Sequence, residues 1–467
     1  MNTLDLALRN LLRNRRRSLA TLLAMVIGLC ATLLFGGYAG NTMYAMETGY
    51  VQLHGHLQLQ RRDYFLYGSG NPAAYGIADY PRLIEQIRRD PVLAPLLTVV
   101  TPKLQLGGIA GHFSAALSTN VASVGVIAPD QAVLREWDDY GAASYTPPMS
   151  LLGTPADSVV IGTGVARKLQ LCRELGVQPC PAPARVTSAA SGPALPEDIA
   201  ALSAQEARPA PAADADTKNT RIEMLAATVQ GAPNVVGLNV VKAENFGLKE
   251  FDDSFTILHL AQAQRLVYGA AEPQVTAIQL QLHHTAQMPA ARARLQQLLE
   301  GEWQGRDLAV VDFQTLAPVY GQTIEFFDSV FGFMATLIGV IVLFTVGNTM
   351  SMAVLERTTE IGTLRAIGQR QSGIRRLFVA EGLLLGLAGT VLGTLAALGW
   401  GWLINRSGLT WTPPGYVYAY PLQVRVWGAW SMLAGSAAGL IAVAGLSAWW
   451  PARRAARLQI VDALRHA

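Results

Sequence analysis

The sequence predicts a membrane protein with four transmembrane α-helices and a large mixed α/β periplasmic domain inserted between helices 1 and 2. Two observations lead to this fold class. The 467-residue chain is 51% hydrophobic and 15% charged, whereas a soluble domain usually carries about 25% charged residues. Four windows also contain no charged residue: Leu19–Met46, Ser329–Leu355, Gly382–Asn405 and Val426–Ala452. As a helix each window is at least ~30 Å long, enough to cross a bilayer core, which argues against buried helices of a soluble protein.

These windows and their flanking charges set the domain boundaries. The first window follows three arginines and is longer than the apolar part of a signal peptide, about 7–15 residues, so we expect an uncleaved anchor. The expected segments are a cytoplasmic amphipathic helix at 1–17, transmembrane helices at 18–46, 323–355, 377–405 and 426–452, a periplasmic core domain at 47–322, a cytoplasmic loop at 356–376, a periplasmic loop at 406–425 and a cytoplasmic tail at 453–467.

The distribution of arginine predicts the orientation. Positively charged residues concentrate in the cytoplasmic loops of membrane proteins. Five arginines precede the first span, five lie between spans two and three, and four follow span four, whereas the loop between spans three and four holds Arg406 and Arg425. We therefore expect a multi-pass protein of a bacterial inner membrane, with both termini and the 356–376 loop in the cytoplasm.

The segment expected in the periplasm has the pattern of a mixed α/β domain. Strand-like runs such as VTAIQLQLH (275–283) alternate with helix-like runs such as YPRLIEQIRRD (80–90). Within an insertion at about 171–220, residues 179–217 are rich in Ala, Pro, Ser and acids and have too few bulky apolar residues to form a core. The role of this insertion stays open.

Cysteine and histidine residues offer few candidate sites. Cys172 and Cys180 lie in the segment expected outside the membrane, where disulfides persist, so a disulfide is favoured over two free thiols. A metal site is disfavoured because no further Cys or His stands at ligand spacing. His54 and His56 would face one side of a strand, but without a third ligand nearby a structural role is favoured.

No motif predicts an enzyme. The run GTGVARK (162–168) lacks the spacing of a phosphate-binding loop, so we expect no P-loop in this chain. No convincing Ser/His/Asp set or G-x-S-x-G turn is present. The chain is expected to have no catalytic residues, no metal and no cofactor of its own. A membrane-anchored hydrolase is the weakest hypothesis because it lacks a recognisable site.

Two features lie at the edges of the predicted spans. Glu381 is an intramembrane acid, which is a functional candidate by default. The alternatives to a functional role are that Glu381 pairs with Arg376 or contacts lipid headgroups, and these interpretations are favoured equally. Aromatic residues of the loop between spans three and four fit a belt at the membrane interface: Trp411, Tyr416, Tyr418 and Tyr420.

The stretch ERTTEIGTLRAIG (356–368) predicts a short amphipathic helix between spans two and three. Its apolar residues recur every three positions on one face: Ile361, Leu364 and Ile367. Glu356 and Glu360 suit its first turn, and Gly368 suits its C-terminal stop. A helix lying on the inner leaflet is the alternative, but mixed charges around a small apolar face favour a protein groove.

This stretch and its surroundings resemble a known family. Residues 356–399, beginning ERTTEIGTLRAIGQRQSGIRRLF, are similar to the core of the FtsX-like permease domain of the MacB/LolC/LolE/FtsX (type VII, mechanotransmission) group of ABC transporters. The tail WWPARRAARLQIVDALRH (449–466) resembles the closing pattern of that family, with Ile460 where a proline is usual. LALRNLLRNRRRSLAT (6–21) resembles its amphipathic segment before span one, and GHLQLQ (55–60) resembles the start of its MacB-like periplasmic core domain.

The resemblance implies a mechanism and a set of contact residues. Two such permeases pair, and two cytoplasmic ABC ATPase subunits bind beneath them. MacB-type chains carry a fused ATPase and this sequence does not, which implies that ATP and Mg²⁺ bind a separate partner. Closure of the ATPases would pass through spans one and two to the periplasmic domain. The ATPase-coupling residues implied by the family are Glu356, Arg357, Glu360, Ile361, Leu364, Arg365, Ile367 and Gly368.

We therefore expect a LolC/LolE-like permease subunit that exports or extracts a lipoprotein, a lipid, a peptide or a drug-like molecule. The alternative is an FtsX-like transmembrane regulator of a periplasmic partner enzyme. Expected partners are the ATPase subunits, a second permease subunit, a periplasmic adaptor or lipoprotein, and membrane lipid, without nucleic acid. The substrate, the direction of transport and the choice between a homodimer and a heterodimer stay open.

Overall fold

The structure of the chain is a computed structural model that describes residues 3–13, 15–142, 148–180, 220–412 and 419–459. Some predictions concern residues outside these ranges: most of the insertion (181–219), Tyr416 and Tyr418 of the aromatic loop, and the end of the tail (460–467). The chain forms two compact units. The membrane unit comprises Met1–Glu47, Ala317–Trp411 and Tyr420–Ala467, and the α/β unit comprises Thr48–Leu316 and Thr412–Ala419.

The described helices and strands are numbered in chain order. The helices are α1 Thr3–Arg13, α2 Arg15–His54, α3 Tyr64–Tyr67, α4 Tyr80–Arg89, α5 Ala128–Glu136, α6 Thr163–Lys168, α7 Lys249–Asp252, α8 Leu260–Tyr268, α9 Met288–Glu300, α10 Phe313–Leu316, α11 Pro318–Glu356, α12 Thr358–Ala366, α13 Gln371–Ser407 and α14 Trp430–Ala456. The strands are β1 Leu57–Arg61, β2 Leu97–His112, β3 Leu117–Val126, β4 Ser158–Gly162, β5 Arg221–Ala227, β6 Pro233–Glu244, β7 Phe255–His259, β8 Ala277–Leu282, β9 Leu308–Asp312, β10 Thr410–Trp411 and β11 Tyr420–Pro421.

Four helices of the described chain, α2, α11, α13 and α14, are long and apolar enough to cross a membrane. They correspond to the four charge-free windows. Helices α2 and α11 are 40 and 39 residues long and extend beyond their windows, because a helical backbone satisfies its own hydrogen bonds in apolar and polar surroundings alike. Helix α14 begins four residues later than its window, after Gly428 at φ +89°.

Glycines of α13 permit close helix packing in the membrane unit. A Cβ atom added at Gly382 would lie 2.5 Å from Ala448 Cβ, and one added at Gly386 would lie 2.9 Å from Ala444 Cβ, both in α14. Further along α13, a Cβ added at Gly393 would lie 3.0 Å from Leu29 Cβ in α2. Small residues at such contacts let helix backbones approach, and packing of this kind drives helix association in membranes.

We expect Gly386→Val to destabilise the membrane unit by about 1–3 kcal/mol, because the added side chain must push α14 away from α13. Gly399→Val is the matched control, since Gly399 lies in the same helix and its added Cβ would meet no atom within 4 Å. The measurement is the midpoint of thermal unfolding of the full chain in detergent. Equal midpoints for the two variants would contradict the packing argument.

The α/β unit is built on a nine-stranded mixed sheet with the order β3-β7-β4-β6-β5-β2-β8-β1-β9. Strand β2 is 16 residues long and pairs with β8, β5 and also β3. Strands β2, β3, β7, β4, β6 and β5 therefore form a closed ring of pairings. The β3–β7 and β4–β6 pairings are parallel. This architecture agrees with the predicted mixed α/β domain.

The end of α2 is capped by polar side chains from three strands of this unit. Lys103 Nζ and Gln279 Nε2 both donate to the carbonyl oxygen of Leu53, at 3.3 and 3.0 Å. Gln58 Nε2 donates to the carbonyl oxygen of His54 at 2.8 Å. Carbonyls in the last turn of a helix have no intrahelical partner, so these three side chains form a cap for α2.

The predicted strand position of His54 is wrong. His54 ends α2, and Gly55 turns the chain at φ +71° before β1 begins. His56 is buried, its Nδ1 accepts from the amide of Leu282 at 3.0 Å, and its Nε2 lies 3.2 Å from Thr285 Oγ1. Burial lowers the pKa of His56 to about 4. Both ring nitrogens thus have structural partners.

Candidate functional site

The predicted short helix α12 lies directly after α11, with Arg357 between them. Arg357 has φ −112° and ψ 19°, which are not helical, so the chain breaks there. Glu356 is therefore the last residue of α11 and does not lie in the first turn of α12, which corrects its predicted position. The break brings Arg357 into the interior of the membrane unit, where its side chain is only 9% exposed.

A buried ion pair joins Arg357 to the third long helix. Arg357 Nη1 donates to Glu381 Oε1 at 3.0 Å, and Glu381 is 3% exposed. Asn10 Nδ2 of α1 donates to the same carboxylate oxygen at 2.6 Å. The partners of Glu381 are thus Arg357 and Asn10, whereas the predicted partner Arg376 has an exposed side chain. Three separate segments meet at this carboxylate.

Three further ion pairs lie around this carboxylate, nearer to the surface. Arg17 Nη1 and Nη2 donate to both carboxylate oxygens of Glu356 at 2.9 and 2.6 Å. Arg13 Nη2 donates to Glu360 Oε1 at 2.6 Å, and Glu360 also pairs with Arg357 Nε at 3.2 Å. Asn10, Arg13, Arg17, Glu356, Arg357, Glu360 and Glu381 together are called the polar network below.

The electrostatics of the polar network favour charged carboxylates at its surface. Burial alone raises the pKa of Glu360, but the hydrogen bond from Arg13 and the charges of Arg13 and Arg357 outweigh it and hold this pKa below its usual value. Glu360 therefore stays ionised at neutral pH. A small cavity of about 20 Å³, lined by Asn10, Arg17, Arg357 and Glu381 among others, gives room for about one water molecule.

The apolar face of α12 is divided between the interior and the surface. Ile361 is 3% exposed and Leu364 is partly buried in the membrane unit, whereas Ile367 is 80% exposed. The expectation of one continuous face is wrong, because the helix ends at Ala366 and Ile367 lies in its terminal turn. Arg365 is turned toward the end of α14, where its Nη1 donates to the carbonyl oxygen of Leu458.

Gly368 ends α12 at φ +101°, a conformation that glycine adopts without strain. Its amide donates to the carbonyl of Arg365 and the amide of Gln369 to that of Leu364, both at 3.0 Å. This pair of hydrogen bonds is a Schellman motif. The short helix is thus fixed at both ends, by the break at Arg357 and by this glycine.

The remaining predicted site residues lie apart from the polar network. Cys172 and Cys180 form a disulfide within the α/β unit, with Cα atoms 5.7 Å apart. Cys30 of α2 is a buried free thiol. In the run GTGVARK, Lys168 Nζ donates to the carbonyl oxygen of Asp253 at 2.6 Å. Among the described residues, no group of three His, Cys, Asp or Glu side chains could hold a metal ion.

The sequence interpretation missed Asn10, Arg13 and Arg17 as members of the site. Arg13 and Arg17 were evident as basic residues before the first span, a pattern that indicates orientation and does not identify partners. The exposed tryptophans Trp427, Trp430, Trp449 and Trp450 were also missed. Trp411 of the predicted belt lies against Tyr38, with ring centroids 6.2 Å apart.

Four helices long and apolar enough to cross a membrane, together with a mixed α/β unit, fit a multi-pass membrane protein. Residues 330–460 match the family described as FtsX-like permease C-terminal. This matched segment contains α12, its break at Arg357 and Glu381. The match covers the part of the chain that holds most of the polar network.

Curated relatives agree with this match. The chain is 34% identical to the ABC transporter permease YtrF of Bacillus subtilis over 144 residues, 29% of this chain and 30% of that protein. It is 26% identical to the lipoprotein-releasing system transmembrane protein LolC of Neisseria meningitidis over 244 residues, 50% of this chain and 56% of that protein. It is 34% identical to the macrolide export ATP-binding/permease protein MacB of Sodalis glossinidius over 138 residues, 29% of this chain and 19% of that protein.

The matched regions span less than two thirds of the length of each of these relatives. The domain match and the relatives together confirm the resemblance to the FtsX/MacB/LolC group of ABC transporter permeases that the sequence motifs indicate. The YtrF relative is named a permease, and the MacB relative is named an ATP-binding/permease protein.

Proposed function

We propose that this chain is the permease subunit of an ABC transporter in a bacterial inner membrane, where it couples ATP hydrolysis by a separate ATPase to a conformational change of a periplasmic α/β unit. Both termini and α12 lie in the cytoplasm in this proposal, in agreement with the arginine distribution. Two of the named relatives are described as a macrolide export protein and a lipoprotein-releasing system protein. Their names favour a transporter over a regulator of a periplasmic enzyme.

The observation that carries the proposal is the attachment of α12 and the two residues before it, Glu356 and Arg357, to other helices. The pair Arg13–Glu360 connects α12 to the end of α1, and the pair Arg17–Glu356 connects the last residue of α11 to the start of α2. Arg357, between α11 and α12, connects to α13 through Glu381. A force applied to α12 would therefore reach α1 directly, and the long helices α2 and α13 through the adjoining Glu356 and Arg357.

The outer face of α12 and its flanks offers a surface to an ATPase groove. Ile367 and Leu355 are 80% and 68% exposed, and Thr363 and Gly368 are exposed beside them. Apolar side chains on a short helix can enter a groove on a partner protein. In this proposal Ile367 and Leu355 contact the ATPase, whereas Glu356 and Glu360 act mainly within the permease.

The substrate and the further partners follow from the proposed class of transporter. The exported or extracted substrate would be a lipoprotein, a lipid, a peptide or a drug-like molecule. A second permease subunit, identical or different, would complete the membrane part. A periplasmic adaptor or lipoprotein would contact the α/β unit, and ATP and Mg²⁺ would bind the ATPase subunits.

We expect reversal of both surface carboxylates, Glu356→Lys with Glu360→Lys, to reduce the ATPase activity of the complex at least several-fold, because each lysine then faces an arginine. The measurement uses the complex purified from membranes through a tag on this chain and reconstituted in lipid. Glu325→Lys, an exposed change near the opposite end of α11, is the control for a general charge effect and should leave the activity near wild type.

A compensating variant decides how the carboxylates act. Adding Arg13→Glu and Arg17→Glu to the double reversal restores opposite charges across both pairs. Recovery of most of the activity is expected if the pairs transmit force within the permease. Persistent loss would assign the carboxylates to direct ATPase contact, and undiminished activity of the first reversal would exclude a coupling role for them.

A further inference from the structure

The end of α14 carries two arginine–tryptophan stacks. Arg453 Cζ lies 5.5 Å from the ring centroid of Trp449, and Arg454 Cζ lies 3.9 Å from that of Trp450. Trp449 and Trp450 are 44% and 56% exposed, and both arginines are exposed as well. Stacking holds a guanidinium over a ring face while its N–H donors remain free for another partner.

Two further arginines lie at the same level of the membrane unit. Helices α13 and α14 pack antiparallel, with Gly382 facing Ala448 and Gly386 facing Ala444. Extending this register by one to two turns places Arg375 and Arg376, at the start of α13, level with residues 454–455 of α14. Their side chains are exposed.

These four arginines differ from the arginines of the polar network. Arg13, Arg17 and Arg357 are each paired with a carboxylate of the polar network. In the described part of the chain, Arg375, Arg376, Arg453 and Arg454 form no ion pair and no side-chain hydrogen bond, and they have no further interaction beyond the two stacks. A local excess of positive charge therefore remains on α13 and α14.

The position of the tryptophans along α14 indicates the depth of this surface. Trp430 and Trp449 are 19 positions apart in one helix, which is ~28 Å and close to the thickness of the hydrocarbon core. Tryptophan prefers the two interfaces of a bilayer. Trp449 and Trp450 then lie at one interface, and the guanidinium groups beyond them lie at the level of lipid phosphates.

We propose that Arg375, Arg376, Arg453 and Arg454, together with Trp449 and Trp450, form a binding surface for the phosphate groups of anionic phospholipids. Guanidinium groups bind phosphate oxygens in a bidentate geometry, and each basic side chain near an anionic leaflet contributes about 1 kcal/mol. The indole rings would pack on the glycerol and upper acyl region.

The test measures retention of phosphatidylglycerol by the full chain in detergent, using native mass spectrometry at increasing lipid concentration. We expect Arg453→Gln with Arg454→Gln to weaken phosphatidylglycerol binding about 10- to 30-fold and to leave the weak binding of phosphatidylcholine unchanged. The matched control is Arg406→Gln, because Arg406 Cζ stacks 5.4 Å from the ring centroid of Trp402 at the opposite end of α13. This control should retain the wild-type affinity.

A second variant and two further measurements keep the test decisive. Arg375→Gln with Arg376→Gln should weaken phosphatidylglycerol binding similarly if the first variant does not fold. Glycerol 3-phosphate at the same concentrations should not displace the lipid, and displacement would indicate a site for a soluble phosphate. Unchanged lipid affinity in both double variants would overturn the proposal. If the co-purified ATPase is also lost while the lipid affinity is unchanged, the surface binds the ATPase and the lipid proposal is overturned.

Discussion

Replacing Glu381 with alanine is expected to destabilise the membrane unit by about 3–5 kcal/mol, because it leaves the guanidinium of Arg357 buried without its main counter-charge. Arg357 and Glu381 are both buried. The remaining partner of Arg357 is Glu360, whose side chain is 42% exposed and already paired with Arg13. The measurement is thermal unfolding of the full chain in detergent, together with its folded yield in membranes.

A double variant separates the charge effect from the packing effect. Arg357→Met with Glu381→Met removes both buried charges and keeps apolar side chains of comparable length, so most of the lost stability should return. Glu360→Ala should lower the stability by only about 0–1 kcal/mol, because the pair that Glu360 forms with Arg13 is largely exposed. If the double methionine variant is as unstable as Glu381→Ala, lost packing explains the effect and the ion pair does not.

The stability of the α/β unit is expected to rise with pH between about pH 8 and 10.5 through Lys103. Its side chain is buried beneath the end of α2, and burial lowers its pKa to about 8. In that pH range the unfolded chain binds more protons at this lysine than the folded chain does, so the free energy of unfolding increases with pH. Below about pH 8 both states are protonated and the contribution is flat. The full rise is on the order of 3 kcal/mol.

Lys103→Met tests this expectation because methionine fills similar space and cannot carry a charge. The carbonyl oxygen of Leu53 keeps the hydrogen bond from Gln279. The variant should therefore be at least as stable as wild type at pH 7 and should lack the rise toward pH 9.5. Its unfolding midpoint is compared with that of Lys242→Met, an exposed control in the same unit. Parallel wild-type and Lys103→Met curves from pH 7 to 9.5 would contradict the expectation.

Local sequence was sufficient for the spans and for the short helix. A charge-free window of more than 20 residues predicts a membrane helix from composition alone, and all four windows correspond to long apolar helices. The spacing of Ile361 and Leu364 and the position of Gly368 likewise predict α12, because periodicity and a terminal glycine are local signals. The alternation of apolar and polar residues predicted strand β8 for the same reason.

The polar network could not be predicted in this way. Asn10 and Glu381 are 371 positions apart, and Arg13 and Glu360 are 347 positions apart. These contacts depend on how α1, α12 and α13 pack together, and no local sequence pattern predicts that packing. The orientation of Arg357 depends on a backbone break within an otherwise helical sequence. The closed ring of strands in the α/β unit depends on similarly distant pairings, such as β3 with β7.

The pairing of β6 has a consequence for how this chain can change over evolution. Strand β6 pairs on one side with β4 and on the other with β5, and these are the strands that precede and follow the long insertion. Both flanking strands are thus positioned by a common neighbour and not by the residues that connect them. The entropic cost of closing a loop rises by only about 0.6 kcal/mol when the loop doubles in length. Related chains could therefore gain, lose or exchange segments within 181–219, and a fluorescent or affinity tag could be placed there, without any shift in the strand register.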